Sequence, residues 1–94
     1  MGPRSTSSEI QQMIAEAGGA IFKTPVIENK SLEEMLEHLG LKRVEGLESK
    51  FEDTEKGLML IIRAPDVNSA FEVFSKIYND NKTEIHYPKP LPPI

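Results

Sequence analysis

Residues 56–78 read KGLMLIIRAPDVNSAFEVFSKIY and carry the strongest structural signal in the chain. Five consecutive apolar residues predict a strand over Leu58–Arg63 that is covered on both faces, or whose open face is a contact surface. Pro65 ends this strand, and Asp66 can cap a helix running from Val67 to about Tyr78. A strand, a turn and a helix in immediate succession indicate a small α/β domain.

Two more helices are predicted upstream of this unit. In residues 9–17, Ser8 is the expected N-cap, the apolar residues recur at helical spacing, and Gly18-Gly19 ends the helix. In the second helix, Ser31 and Glu34 form a capping-box pattern before an apolar stripe that extends to Leu39. Gly40 follows that stripe at a position typical of a Schellman motif.

Three further strands are predicted. Ala20–Ile27 contains Pro25, which lacks one backbone donor and therefore favours an edge strand or a break in the strand. Val44–Phe51 has a weaker strand pattern, and Glu52–Gly57 has the composition of a hairpin loop. Thr83–Tyr87 forms the last strand.

From Ala20 onward the predicted order is strand, helix, strand, strand, helix, strand. This order is typical of the ferredoxin-like (βαββαβ) α+β sandwich, here preceded by an extra N-terminal amphipathic helix. Right-handed crossovers place the first and third strands at the centre of the sheet, with both helices on one face. We expect the N-terminal helix to cover the other face, or that face to form a dimer.

The domain organisation follows from these elements. Residues 1–8 are expected to be a disordered lead-in or to derive from cloning, and residues 9–19 form the N-terminal helix. Residues 20–87 form a single α/β domain. Residues 88–94, PKPLPPI, cannot continue a helix or a paired strand and are expected to form a Pro-rich tail or linker.

The charge of the chain is modest but unevenly distributed. The net charge is −4, and residues 28–55 hold nine acids against four bases. A surface that binds phosphates requires the opposite sign, which argues against a nucleic-acid partner. The chain has no Cys, which excludes disulfides and thiolate metal sites and favours a cytoplasmic protein. No apolar stretch approaches the ~20 residues of a membrane span.

Lys56-Gly57 and the apolar strand after them resemble the RNP1 strand of RNA-recognition motifs. In that family a basic residue and a glycine open the third strand, and aromatic residues on the strand stack on bases. The resemblance implies an RRM-like nucleic-acid-binding domain as one alternative. Leu58, Leu60 and Arg63 stand where the aromatic residues are expected, and none of them provides a ring for stacking.

The sequence has no catalytic or metal-binding pattern. His38 and His86 are 48 positions apart with no Cys, which does not match a structural zinc site. The acids of the middle segment lack the alternating spacing of a calcium loop. We therefore expect no enzymatic activity and no cofactor.

The function expected from the sequence is a non-catalytic interaction or self-association module, such as an adaptor or a homodimer, whose partner is a protein or a second copy. A small-ligand-sensing regulatory domain is a further alternative, because related sandwiches can hold ligands at dimer interfaces. The predicted interaction residues are Ile10, Met13, Ile14, Leu58, Leu60 and Ile62. The predicted acidic patch, which would attract a basic partner, consists of Glu45, Glu48, Glu52, Asp53 and Glu55.

Overall fold

The computed structural model describes residues 7–77 and 83–87. Within these residues three helices and four strands follow one another in this order: α1 (Ser7–Ala17), β1 (Ala20–Pro25), α2 (Leu32–His38), β2 (Glu48–Thr54), β3 (Gly57–Ala64), α3 (Val67–Ile77) and β4 (Glu84–His86). The helix α1 begins two residues before the predicted start. Three predicted features lie outside the described residues. They are most of the lead-in, the Pro-rich tail, and Tyr78, which is predicted to end the third helix.

The four strands form one sheet in the order β2-β3-β1-β4, and every neighbouring pair is antiparallel. The prediction that β1 and β3 are the inner strands is confirmed. The prediction that β1 is an edge strand or has a break is wrong, because β1 is an inner strand. The strand also ends at Pro25 rather than at the predicted Ile27. At this terminal position the missing N–H of Pro25 interrupts no interior part of the ladder.

The second strand is shifted toward the C-terminus relative to its predicted span. It covers Glu48–Thr54 rather than Val44–Phe51, and the turn needs only two residues, Glu55 and Lys56. Gly57 follows the turn with a φ of +102°, a conformation that favours glycine. Three of the residues assigned to the loop, Glu52, Asp53 and Thr54, therefore belong to β2, and Gly57 is the first residue of β3. An edge strand tolerates such charged residues because its side chains meet solvent.

The caps of α2 and α3 are those that the sequence predicts. The Ser31 side chain accepts a hydrogen bond from the backbone N–H of Glu34, whose carboxylate accepts one from the backbone N–H of Ser31. After α2, the N–H groups of Gly40 and Leu41 donate to the carbonyls of Glu37 and Leu36, as in a Schellman motif. Asp66 accepts from the backbone N–H of Ser69 at 2.8 Å.

The core lies between one face of the sheet and the three helices. On β3, Leu60, Ile62 and Ala64 point into it, opposite Thr24, Phe22 and Ala20 of β1. The helices contribute residues that are likewise buried: Ile14, Met35, Ala70, Val73, Phe74 and Ile77. Aliphatic side chains make up most of this core because the chain has no Trp and few aromatic residues.

The helix α1 belongs to the same layer as the other two helices. It packs against α3, and its residue Ile14 is fully buried within the single core cluster. The alternative that this helix covers the second face of the sheet is therefore wrong. The Tyr87 hydroxyl, just after β4, lies 3.8 Å from the Met13 sulfur and adds a contact on the same side.

Candidate interaction surface

The face of the sheet that lies opposite the core is here called the open face. Side chains along a strand point alternately to the two faces of the sheet. The strand register therefore shows which residues lie on the open face. It carries Ile21, Lys23 and Pro25 of β1, Glu48, Lys50 and Glu52 of β2, Met59, Ile61 and Arg63 of β3, and Glu84 and His86 of β4.

Two aliphatic side chains occupy the centre of the open face. Met59 is 3% exposed and Ile61 is 9% exposed, although neither belongs to the core cluster beneath the helices. In the register, Ile61 lies between Lys50 and Lys23. Long charged side chains can cover apolar surface with their methylene stems while their charged ends remain in water. The stems of Lys23 and Lys50 can cover Ile61 in this way, whereas the cross-strand neighbours of Met59 are Pro25 and Glu52.

Ion pairs surround this aliphatic centre. The Arg63 guanidinium lies 3.7 Å from the Glu48 carboxylate, and the Lys50 ammonium lies 3.6 Å from that of Glu52. All four of these side chains are largely exposed, and ion pairs of this kind contribute roughly 0–1 kcal/mol each. Each of these four side chains can therefore exchange its ion-pair partner for another charged group at little cost in free energy.

Glu84 has the most charged contacts on the open face. Its carboxylate pairs with the Lys56 ammonium, which reaches it from the β2–β3 turn, and with His86 Nε2 at 3.2 Å. The hydrogen bond from Lys56, followed by that from His86, holds the pKa of Glu84 below its ordinary value. Glu84 is thus an anion at neutral pH, held at the β4 edge of the sheet.

Two shallow depressions flank the aliphatic centre. One, of about 400 Å³, lies between Ile61 and the ends of Glu48, Lys50 and Arg63. The other, of about 290 Å³, lies around Met59 and is lined mainly by charged side chains of the turn, β1 and β4. Several charged side chains line both depressions, whereas small-molecule sites typically have only a few placed polar groups.

The structure separates the predicted interaction residues into two groups. Leu60, Ile62 and Ile14 are fully buried and form part of the core. Leu58 is 43% exposed, Met13 is 46% exposed, and Ile10 is half-buried against the core. The even-numbered residues of β3 point toward the helices, so the central residues of the open face are Met59 and Ile61.

Sequence reasoning missed Met59 and Ile61 as surface-facing residues because a run of five apolar residues has no period that identifies its outer face. The charge on Arg63 was the available signal. Arg63 favours solvent, and every second residue of a strand lies on the same face. Ile61 and Met59 are therefore expected on the face that carries Arg63.

The residues of the predicted acidic patch do not share one face. Glu48 and Glu52 lie on the open face beside basic partners, whereas Asp53 is directed to the other side of β2. Glu55 is in the turn and Glu45 lies in the segment before β2. The open face itself therefore carries both signs of charge rather than an acidic field.

The strand that resembles RNP1 places its residues differently from an RNA-binding surface. Leu58 and Leu60 lie on the helix side of β3, and Arg63 lies on the open face. Among the described residues of the open face, His86 has the only aromatic ring. Stacking of bases on aromatic rings contributes ~1–3 kcal/mol per base, and this face has almost none of that capacity.

Within residues 7–77 and 83–87, no three His, Asp or Glu side chains are grouped so that they could hold a metal ion. The helices in these ranges are also too short or too polar to cross a bilayer. No protein-family model, curated protein or solved structure matches the chain.

Proposed function

We propose that the chain is a protein-interaction module and that the open face is its binding surface. The observation that carries this proposal is an aliphatic centre, Met59 and Ile61, on a sheet face that is not part of the helix-covered core. Protein interfaces commonly have a desolvated apolar centre and a polar rim, and the open face has this arrangement.

We also infer that the fold is the ferredoxin-like sandwich with one added N-terminal helix. The strand order β2-β3-β1-β4, with β1 and β3 inside, supports this arrangement. Such a sandwich has helices on one side of its sheet. The other side is then a surface through which the domain can meet a partner without disturbing its core.

The charges of the open face favour a protein over a nucleic acid. Its rim holds four cations and three anions: Lys23, Lys50, Lys56, Arg63, Glu48, Glu52 and Glu84. Phosphate backbones are bound by surfaces in which cations predominate, because counterion release drives that association. A mixed pattern instead favours a partner that also carries both signs.

A photo-crosslinking amino acid placed at residue 52 tests the proposal. Glu52 is exposed on the open face, and Glu72, exposed on α3, provides a matched control position. We expect light-dependent protein adducts from position 52 and fewer from position 72, with either a second copy or another protein as the captured species.

The proposal fails if position 52 yields no more protein adducts than position 72. The nucleic-acid alternative makes a separate prediction, which is salt-sensitive binding of single strands in a mobility-shift assay at low salt. The ligand-sensing alternative predicts a rise in melting temperature with a small metabolite, because a ligand that binds only the folded state stabilises it.

A further inference from the structure

The charges of the open face are arranged in rows across the sheet. The register aligns Glu48, Arg63, Ile21 and His86 in one row, from β2 to β4. The next row holds Lys50, Ile61, Lys23 and Glu84. Each row thus has an ionisable residue at both outer strands, and in the second row those two residues have opposite charges.

A two-fold axis parallel to the strands, midway between β1 and β3, would bring two copies of this face together. Such a rotation exchanges β2 with β4 and β3 with β1 but leaves each row in place. Lys50 then faces Glu84 of the partner subunit, and Glu48 faces the partner's His86. Every contact in a two-fold interface occurs twice, so one complementary pair supplies two contacts.

We propose that the occupant of the open face is a second copy of this chain, packed face to face so that Lys50 lies opposite Glu84 of the partner subunit. This inference rests on the proposed function. It adds a specific partner and a specific charge pairing to it. Stacked sheets keep their mean strand directions within about 30° of each other, which is compatible with matching rows.

The inner strands suit the same arrangement. Met59 lies opposite Pro25 of the partner subunit, and Ile61 lies opposite the partner's Lys23, whose methylene stem can pack on it. Arg63 lies opposite the partner's Ile21 in the same way. No two like charges of the two rows are brought into direct opposition by this axis.

The size of the face predicts a reversible dimer. Four strands about 4.8 Å apart, with a mean length of about 20 Å, give roughly 400 Å² on each side. This is below the ~800 Å² per partner that is typical of stable complexes. We therefore expect a dimer whose population rises with protein concentration and falls with salt, because its pairs lie near solvent.

Sedimentation equilibrium of the full chain and of charge-reversal variants tests the inference. The variants are K50E, E84K and the double variant K50E/E84K. Each single change creates two like-charge contacts in the dimer, and we expect it to raise the dissociation constant at least tenfold. The double variant restores opposite charges and is expected to return to within about threefold of the unaltered chain.

The variant K42E is the matched control, because Lys42 is exposed in the segment after α2 and away from the open face. It changes the net charge as K50E does and is expected to leave the dissociation constant unaltered. Circular dichroism and thermal unfolding of each variant establish that it is folded before its association is measured.

Three results would overturn the inference: a chain that stays monomeric at millimolar concentration, a double variant as weak as the singles, or a K42E variant as weak as K50E. Failure of this inference can be distinguished from failure of the proposed function. If the chain is monomeric but a crosslinker at residue 52 captures a different protein, the self-pairing is wrong and the interaction surface stands. If neither association occurs, both proposals fail.

Discussion

Single side chains at the helix starts fix where the helices begin. Ser31 and Asp66 each accept hydrogen bonds from backbone N–H groups that have no partner within their helix. The hydrogen bonds that Asp66 accepts from Ser69 lower the pKa of its carboxyl below the ordinary value, and the backbone bond is the larger cause. The start of α3 is consequently linked to pH through this one residue.

We predict that Asp66 contributes to the acid sensitivity of folding. Its pKa is lower in the folded state than in the unfolded chain, where it is about 3.9. The contribution of the carboxylate is thus fully present above the unfolded value and is lost as pH falls through the folded value. Urea unfolding between pH 6 and pH 2.5 should show a shallower loss of stability for Asp66→Asn, since Asn caps without titrating.

The variant Asp66→Ala is the comparison for this experiment, because Ala removes the cap together with the charge. We expect it to be less stable than Asp66→Asn across the whole pH range. If Asp66→Asn and the unaltered chain lose stability equally on acidification, the carboxylate of Asp66 does not contribute to the pH dependence.

Gly19 is constrained by the closeness of a neighbouring backbone. A Cβ at this position would lie 2.5 Å from the backbone oxygen of Ala64, which cannot move aside as a flexible side chain could. The residue has a φ of +156° and is buried at the junction between α1 and β1. A glycine that the sequence identifies as a helix stop therefore also permits the close approach of two backbones at the end of β3.

At the scale of the element, β3 is an apolar strand with two different faces. Leu60 and Ile62 are fully buried against the helices, whereas Met59 and Ile61 form the centre of the open face. Leu58 has the same orientation as Leu60 but stands near the turn, where it is 43% exposed. The same residue type on the same side of one strand thus has two different environments.

We predict that Leu60→Ala and Leu58→Ala differ strongly in their effect on stability. The loss of a fully buried Leu side chain, with the cavity that it leaves, costs about 2–5 kcal/mol. A substitution at an exposed position usually stays within about 0.5 kcal/mol. Chemical denaturation of the two variants measures this difference directly, and equal losses would contradict the assignment of Leu60 to the core.

The elements could be predicted from the sequence where a local signal is strong. The capping box at Ser31, the cap at Asp66 and the helical apolar periods gave α2 and α3 nearly to the residue. The limits of β2 could not be predicted, because its Glu52 and Asp53 have the composition of a loop and only pairing with β3 makes them a strand. The open face required the strand register, which is a long-range property.

At the scale of the whole molecule, α1 is part of the folded unit. Ile14 is fully buried in the same cluster as Phe22 of β1 and Phe74 of α3. The sequence predicted an apolar stripe on this helix but could not indicate what it packs on. The answer depends on the position of α3, which lies about 50 residues further along the chain.

We predict that Ile14→Ala destabilises the entire domain, whereas its neighbour Met13→Ala has little effect. A fully buried Ile replaced by Ala loses about 2–5 kcal/mol. Met13 is 46% exposed and should lose much less. Thermal unfolding followed at both helix and strand signals tests this, and a single shifted transition is expected for Ile14→Ala. Loss of the α1 signal alone, with the rest unchanged, would show that α1 is a separate unit.

The position of β1 inside the sheet governs the order in which the chain can assemble. Among the described residues β1 is the first strand, yet its two neighbours, β3 and β4, begin at Gly57 and Glu84. The strand β2 also pairs only with β3 within the described residues. A chain synthesised only as far as Lys56 would consequently contain β1 and β2, which do not pair with each other. The sheet forms only after long loops close, which favours slower folding than in helical proteins of similar size and leaves unpaired β1 open to aggregation during synthesis.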